Sequence, residues 1–356
     1  MGAFDAFVKK YGRQVEEEIA RFLRLKAEEV EDQRRKRVIE EIARFTLGGG
    51  KRIRPSLMIL GYAGSKGVID NRIVKASISI ELVHSYLLMH DDVMDRDELR
   101  RNRPTVWKVF RDLHDELYGP EDATHYGYSM AIIAGDLAAA YAIQALLQSG
   151  FEYDVVVKAV ELMQSVIEKT GHGQILDMTL EKEPLSAVKE GDVLEVHKLK
   201  TAIYTIEGPL QMGGILARAD KALLDVYSKY AIPVGIAFQL QDDILGVFGD
   251  EATVGKPVDS DIKEGKRTLL VIKAWERATP DQRRILERTL GNKAASKDDV
   301  EAVREIIRST GALDYVRNFA LKLANEGVSV IENADMSSDV KEVLRDLARI
   351  VVERVK

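Results

Sequence analysis

What most restricts the fold of this chain is a pattern that occurs twice: an apolar run of helical periodicity that ends in paired aspartates. The first is Ser85-Tyr-Leu-Leu-Met-His-Asp-Asp-Val-Met-Asp95, and the second is Phe238-Gln-Leu-Gln-Asp-Asp-Ile-Leu-Gly246. A helix that is apolar for most of its length has to be buried against other helices. The acids at its end have to meet water, a cation or a positive side chain. No strand-like alternation of useful length occurs, and 8 prolines in 356 residues leave room for long uninterrupted helices. These features predict an all-α fold of long helices, and the length permits one domain or two.

Read in order, residues 4–46 are expected to be helical, with Val15, Ile19, Phe22, Leu23, Val38, Ile42 and Phe45 on an apolar face. Leu47-Gly-Gly-Gly-Lys-Arg-Ile-Arg-Pro55 then breaks the pattern. A glycine-rich turn opening a helix leaves backbone N–H groups for an anion, and Lys51, Arg52 and Arg54 add charge. The turn lacks the Lys-Ser/Thr of a Walker loop. Residues 56–99 read as helix, a short turn at Gly64 to Gly67, then the helix that carries His84 two turns before Asp91. Asp112 to Tyr126 is expected to be a polar loop, Gly127 to Gly150 an alanine-rich buried helix, and Phe151 to Leu180 a helix with Gln174 and Asp177 on one face. Val193 to Leu216 holds Lys200-Thr201, and residues 221–249 form the second acid-ended helix. A charged loop, Gly249 to Thr268, carries Lys256, Asp261, Lys266 and Arg267. Residues 270–356 read as amphipathic helices split by Gly291–Lys297 and Asn333–Ser338.

Composition removes several functions. The chain is 46% hydrophobic and 31% charged with a formal net charge of −6, so non-specific nucleic-acid binding has no electrostatic support. It contains no cysteine, which excludes disulfides and thiolate chemistry and suits a cytoplasmic location. The charged first ten residues carry no apolar signal region. No transmembrane segment is expected. The best candidate, Met130 to Leu147, contains Asp136, which costs roughly 2.5–3.5 kcal/mol at a bilayer centre.

On an ideal helix Asp91 and Asp95 stand one turn apart on the same face, an arrangement that calls for a hard cation. Acids on two helices can hold Mg²⁺, which shares its oxygen ligands with phosphate and water. The remaining cations would take up phosphate charge, and an apolar cavity would take a hydrocarbon tail.

The set resembles the trans-isoprenyl diphosphate synthases of the farnesyl/geranylgeranyl type, with the archaeal-like short-chain enzymes as the nearest pattern. The resemblance rests on Gly49-Gly-Lys-Arg-Ile-Arg-Pro55, His84, DDVMD at 91–95 with Arg100-Arg101, GQILD at 173–177, Lys200-Thr201, FQLQDDILG at 238–246 and Gly255-Lys256, in family order. It implies the isoprenoid synthase fold, a large single all-α bundle of long helices around a central cavity forming one domain over residues 1–356, a homodimer, and Mg²⁺-dependent head-to-tail condensation of isopentenyl diphosphate with allylic diphosphates. About three Mg²⁺ per site are implied, bridging Asp91, Asp95 and Asp242, with Asp92, Asp177 and Asp243 in support directly or through water. Arg100, Lys200, Lys256 and Lys266 would hold the allylic diphosphate, and Lys51, Arg54, His84 and Arg101 the isopentenyl diphosphate. Gln239 and Thr201 would turn oxygens toward the allylic cation. Tyr86 and Leu87, five and four residues before the first motif, would set product length, with geranylgeranyl diphosphate as the expected product and farnesyl or geranylfarnesyl diphosphate as alternatives.

Two departures stand out. Gly246 occupies the place of a third aspartate in the second motif, which puts that metal site in question. His84 stands where a glutamine is frequent, which suggests pH-dependent binding. Other readings have weaker support. A terpene cyclase or inactive partner subunit would not need the Gly-Lys-x-x-Arg turn. A di-iron protein needs two Glu-x-x-His pairs, and Glu81-Leu-Val-His84 has no second.

Overall fold

The computed structural model describes residues 2–65, 67–249 and 259–353. Nearly all of this is helix, as expected. The chain gathers into two compact units, Met1–Met163 with Pro209–Ala219, and Gln164–Gly208 with Asp220–Lys356.

The first unit is built around α4 (Asn71–Asp95), which buries Ile73, Ile78, Ile80, Leu82, Val83 and Met89. It packs on α3 (Ile53–Gly64) and α6 (Ala123–Leu147), and also on α1 (Ala3–Glu28). The single helix expected over 4–46 is two, α1 and α2 (Gln33–Leu47). Asp32 starts the second by accepting hydrogen bonds from the backbone N–H groups of Arg34 at 2.9 Å and Arg35 at 3.2 Å. The polar loop expected over 112–126 is mostly helix as well. α5 (Val106–Tyr118) buries Val106, Trp107 and Phe110, and the polar residues that suggested a loop are its solvent face. Gly119, at φ 93°, ends it.

Between α4 and α5 lies a hairpin too short for a periodicity to announce. Leu99–Arg100 (β1) pairs antiparallel with Arg103–Pro104 (β2) through a turn with Arg101 and Asn102 at φ 53° and 57°. Positive φ at both central positions matches the twist of a two-residue hairpin. Thr105 Oγ1 and Trp107 Nε1 both donate to the Asp97 carbonyl at 2.8 Å and hold the hairpin's base.

The second unit centres on α10 (Lys221–Phe248), with Tyr227 and Tyr230 fully buried. Tyr230 donates to the Leu344 carbonyl at 2.6 Å. α7 (Tyr153–Leu180) begins in the first unit and ends in the second. Residues 190–216 are three pieces: α8 (Glu190–Val196), a π-helical segment His197–Glu207, and α9 (Gly208–Leu216). The C-terminal part breaks near 291–297 and 333–338 as expected. It comprises α11 (Ser260–Glu264), α12 (Leu269–Arg277), α13 (Pro280–Thr289), α14 (Lys297–Ser309), α15 (Ala312–Glu332) and α16 (Ser338–Glu353).

α6 and α10 are long and apolar enough to cross a membrane by length and composition alone, with mean hydropathies of 1.7 and 1.2. α6 buries a row of small residues, Ala131, Ala134, Ala138 and Ala142, and turns Ile132, Ile133 and Asp136 outward. Such a small-residue row lets it sit close against α4.

Candidate active site

In the first unit the candidate residues gather at the C-terminal end of α4 and the glycine turn before α3. The turn is held by Arg52, which the sequence offers as one more anion-binding cation. Arg52 is instead 3% exposed and donates to Glu81 at 2.7 Å, Glu16 at 3.1 Å and the Gly49 carbonyl at 3.0 Å. This buried pair anchors the turn to α1 and α4 and also takes Glu81 out of any Glu-x-x-His metal site. With Arg52 engaged, Lys51 is exposed and Arg54 lies half-buried in the first turn of α3.

The hairpin sends its two arginines in different directions. Arg101 donates to the Gly49 carbonyl, beside the turn. Arg100 goes to the acids, Nε donating to Asp92 at 2.6 Å and Nη2 to Asp91 at 3.3 Å, with Asp97 3.8 Å away. Asp92 is fully buried and its Oδ2 makes no hydrogen bond. Burial pushes its carboxyl up to about 7 in spite of Arg100. His84 is half-buried, and its burial together with Arg54, Arg101, Arg100 and Arg52 pushes its pKa well below the ordinary value. The imidazole is therefore neutral in this state, and the pH-dependent binding expected of a readily protonated His84 is not what its surroundings favour.

Leu87 is half-buried. Tyr86 is also half-buried, and its ring lies against His90 rather than on the Asp91 face.

In the second unit the π-helical segment, the end of α7, α10 and α11 line a cavity of about 150 Å³. A π turn carries more residues than an α turn, and such segments often mark functional sites. Here it brings His197, Lys200 and Thr201 to the same lining. Lys200 Nζ lies 2.6 Å from Asp177 Oδ2, and Lys266 Nζ lies 3.7 Å from the same oxygen and 2.6 Å from Glu181. Burial alone would raise the Asp177 carboxyl, but Lys200 and Lys266 hold it below the usual value. Thr201 Oγ1 donates to Gln239 Oε1 at 2.9 Å, and Gln239 Nε2 donates to Asp243 Oδ1 at 2.9 Å. Asp243 is 6% exposed. Its Oδ2 makes no aligned hydrogen bond, although His197 Nε2 lies 3.2 Å away. Asp242 is exposed at the rim. Leu180, Val193 and Val196 supply the apolar wall.

Sequence reasoning missed three residues here. His197 and Glu181 share helical faces with Lys200 and Asp177, a signal that was present at spacings of three and four. Asp261 had no such signal. Its carboxyl enters the place left by Gly246, where a Cβ would stand 2.1 Å from Asp261 Oδ2. Burial, then Asp243, Glu264 and Asp242, push the Asp261 carboxyl up to about 7. The gap in DDILG is thus filled from α11. Lys256 lies outside the described residues.

Among the described residues, no three acids or imidazoles stand close enough to cage an ion by themselves. Each unit by itself offers acids that suit a hard cation bringing its own oxygens: in the first, buried Asp92, with one oxygen lacking a hydrogen bond and a carboxyl that gives up its proton near pH 7, and in the second, Asp243, with one such oxygen, beside Asp261, which gives up its proton near pH 7.

The chain is similar to known proteins over most of its length. The model of the polyprenyl synthetase family matches residues 36–307. The geranylgeranyl diphosphate synthase of Saccharolobus solfataricus is 36% identical over 311 residues, covering 86% of this chain and 87% of the relative. The geranylfarnesyl diphosphate synthase of Aeropyrum pernix is 35% identical over 315 residues, covering 86% and 91%. A crystal structure of geranylgeranyl pyrophosphate synthase from Corynebacterium glutamicum, complexed with isoprenyl diphosphate and magnesium, superposes with a TM-score of 0.91 at 32% identity over 99% of each chain.

Proposed function

Because the chain belongs to the polyprenyl synthetase family and is a prenyltransferase, we propose that it condenses isopentenyl diphosphate head-to-tail with allylic diphosphates, uses Mg²⁺, and releases geranylgeranyl diphosphate as its main product. Residues 1–356 act as one isoprenyl diphosphate synthase domain, working as a homodimer in the cytoplasm. The observation that carries the reading is the cavity lining of the second unit, where two lysines, four aspartates, Thr201 and Gln239 share one wall with Leu180, Val193 and Val196.

Lys200 and Lys266, with Lys256, hold the allylic diphosphate. To do so Lys200 leaves Asp177 and Lys266 leaves Glu181, which frees both acids for metal or water. Asp91, Asp92 and Asp95 in the first unit, and Asp177, Asp242 and Asp243 in the second, are the proposed magnesium ligands, directly or through water. Held by these acids, Mg²⁺ would supply positive charge against the diphosphate as it leaves the allylic carbon. Thr201 and Gln239 turn oxygens toward the positive carbon, and the apolar wall keeps water from it. Lys51, Arg54, His84 and Arg101 hold the isopentenyl diphosphate, with neutral His84 donating one hydrogen bond. Arg100 moves from Asp91 and Asp92 to the allylic diphosphate. The double bond of isopentenyl diphosphate attacks the cation, and the proton lost afterwards goes to an oxygen of the released diphosphate. No side chain is needed as general base. Tyr86 limits chain growth.

Incubation with labelled isopentenyl diphosphate, allylic primers of increasing length and Mg²⁺ tests this directly. Geranylgeranyl diphosphate should dominate by chromatography, and a chelator should abolish its formation. Absence of any condensation product would refute the activity. A dominant product one isopentenyl unit longer or shorter would correct only its length.

A further inference from the structure

Tyr86 and His90 sit one turn apart on α4, and their rings meet edge to face, centroids 4.8 Å apart at 76°. His90 is held from its other side by α6. Its Nε2 lies 3.0 Å from the Ile132 carbonyl, with the Asp136 carboxylate 3.7 Å from the same nitrogen. A carbonyl only accepts, so Nε2 carries the proton and donates. The imidazole fits there because residue 135 is glycine. A Cβ at that position would stand 2.4 Å from Nε2 and 2.5 Å from Cδ2, well inside van der Waals contact. Glycine weakens a helix interior relative to alanine, and α6 carries alanine at 131, 134, 138 and 142. Gly135 is thus a notch in an otherwise alanine-lined helix, and His90 occupies it.

We infer that His90, seated in the Gly135 notch of α6, sets the length of the product by fixing how far the Tyr86 ring stands from α6. His90 is a positioning residue: it touches the ring that limits growth, not the substrates. Removing the imidazole leaves space into which Tyr86 can drop toward α6. Filling the notch pushes the imidazole, and Tyr86 with it, away from α6. The two changes act in opposite directions on the room left for the growing chain. This role depends on Tyr86 being the stop for chain growth, as proposed above.

Four variants decide it: Tyr86→Ala, His90→Ala, His90→Gln and Gly135→Ala. Each is assayed for product chain length with one primer and for the KM of both substrates, with a thermal melt to check folding. Tyr86→Ala and His90→Ala are expected to extend the dominant product by at least one isopentenyl unit. His90→Gln, whose amide nitrogen can reach the Ile132 carbonyl, should stay at the wild-type length. Gly135→Ala should shorten the product. KM for both diphosphates should change less than about two-fold, because none of the three altered residues is a proposed diphosphate or metal ligand. If Tyr86→Ala leaves the product unchanged, the reading of Tyr86 falls and this role falls with it. If Tyr86→Ala lengthens the product while His90→Ala and Gly135→Ala do not move it, only the role of His90 is overturned. A Gly135→Ala shift toward longer product would also overturn it, since loosened packing would then be the cause. Should His90→Ala fail to fold, Gly135→Ala alone decides, because only a push through His90 predicts shortening.

Discussion

Gly246 and Asp261 show how one carboxylate can be supplied from either of two places in a chain. The second acid motif ends in glycine, and the space a side chain would take is filled by Asp261 Oδ2. Restoring the missing acid is therefore expected to do harm. Gly246→Asp should expel Asp261 and lower kcat about ten-fold or more, about 1.4 kcal/mol of barrier, with weaker Mg²⁺ activation in steady-state kinetics. The pH behaviour follows from the same residue. With its folded-state pKa raised to about 7 from a carboxylate value of 3.8, Asp261 holds a proton in the folded chain that the unfolded chain has already released. Its contribution to stability is fully present below the unfolded value and is lost as pH rises from about 4 through 7. His84, whose folded pKa is lowered, acts oppositely below its unfolded value of 6.5, so the comparison has to be between variants. In metal-free protein the melting temperature of Asp261→Asn minus that of wild type should grow from pH 5 to pH 8. A constant difference would count against the enclosed carboxyl. Sequence could not show Asp261 beside Asp243, because only the fold of α11 back onto α10 joins them. Asp91, Asp95, Lys200 and Asp242 stand out as candidates in the sequence because each sits in a local pattern of acids or cations against an apolar helix.

At the scale of elements, long apolar periodicity gave the helices, and short-range backbone chemistry decided where they break. Asp32 divides the first helix with one side chain, and the alternation of residues 99–104 is too brief to register as strand. The π-helical segment was equally hidden, since its apolar residues read as an ordinary helix over 193–216, yet it presents His197, Lys200 and Thr201 to the same cavity. The glycine turn is the clearest case of a cation read correctly in type and wrongly in task. Arg52 joins α1, the turn and α4, and Glu81 is 3% exposed. Breaking one side of a buried pair leaves an uncompensated charge and costs about 3–5 kcal/mol. Arg52→Ala should lower the melting temperature accordingly, whereas exposed Lys51→Ala should leave it unchanged and raise KM for isopentenyl diphosphate. Equal melting temperatures for the two variants would remove Arg52 from its structural role.

At the scale of the molecule, α6 turns Ile132 and Ile133 outward at 44% and 49% exposure, a face suited to the homodimer proposed above. Ile132→Lys with Ile133→Lys should elute as a monomer in light-scattering chromatography, and an unchanged mass would place the dimer contact elsewhere. The chain also has a net charge of −6, yet its proposed substrates are polyanions. Its answer lies in how its own ions are paired. Lys200 and Lys266 are held by Asp177 and Glu181 in the second unit, as Arg100 is held by Asp91 and Asp92 in the first. On the reading proposed above, the allylic diphosphate takes each of these cations from a resident acid, and each acid recovers its cation when the phosphate goes. The acids therefore act as competitors for the product side of the reaction. On that reading they shorten the residence of spent diphosphate, and a strong polyanion binder can turn over.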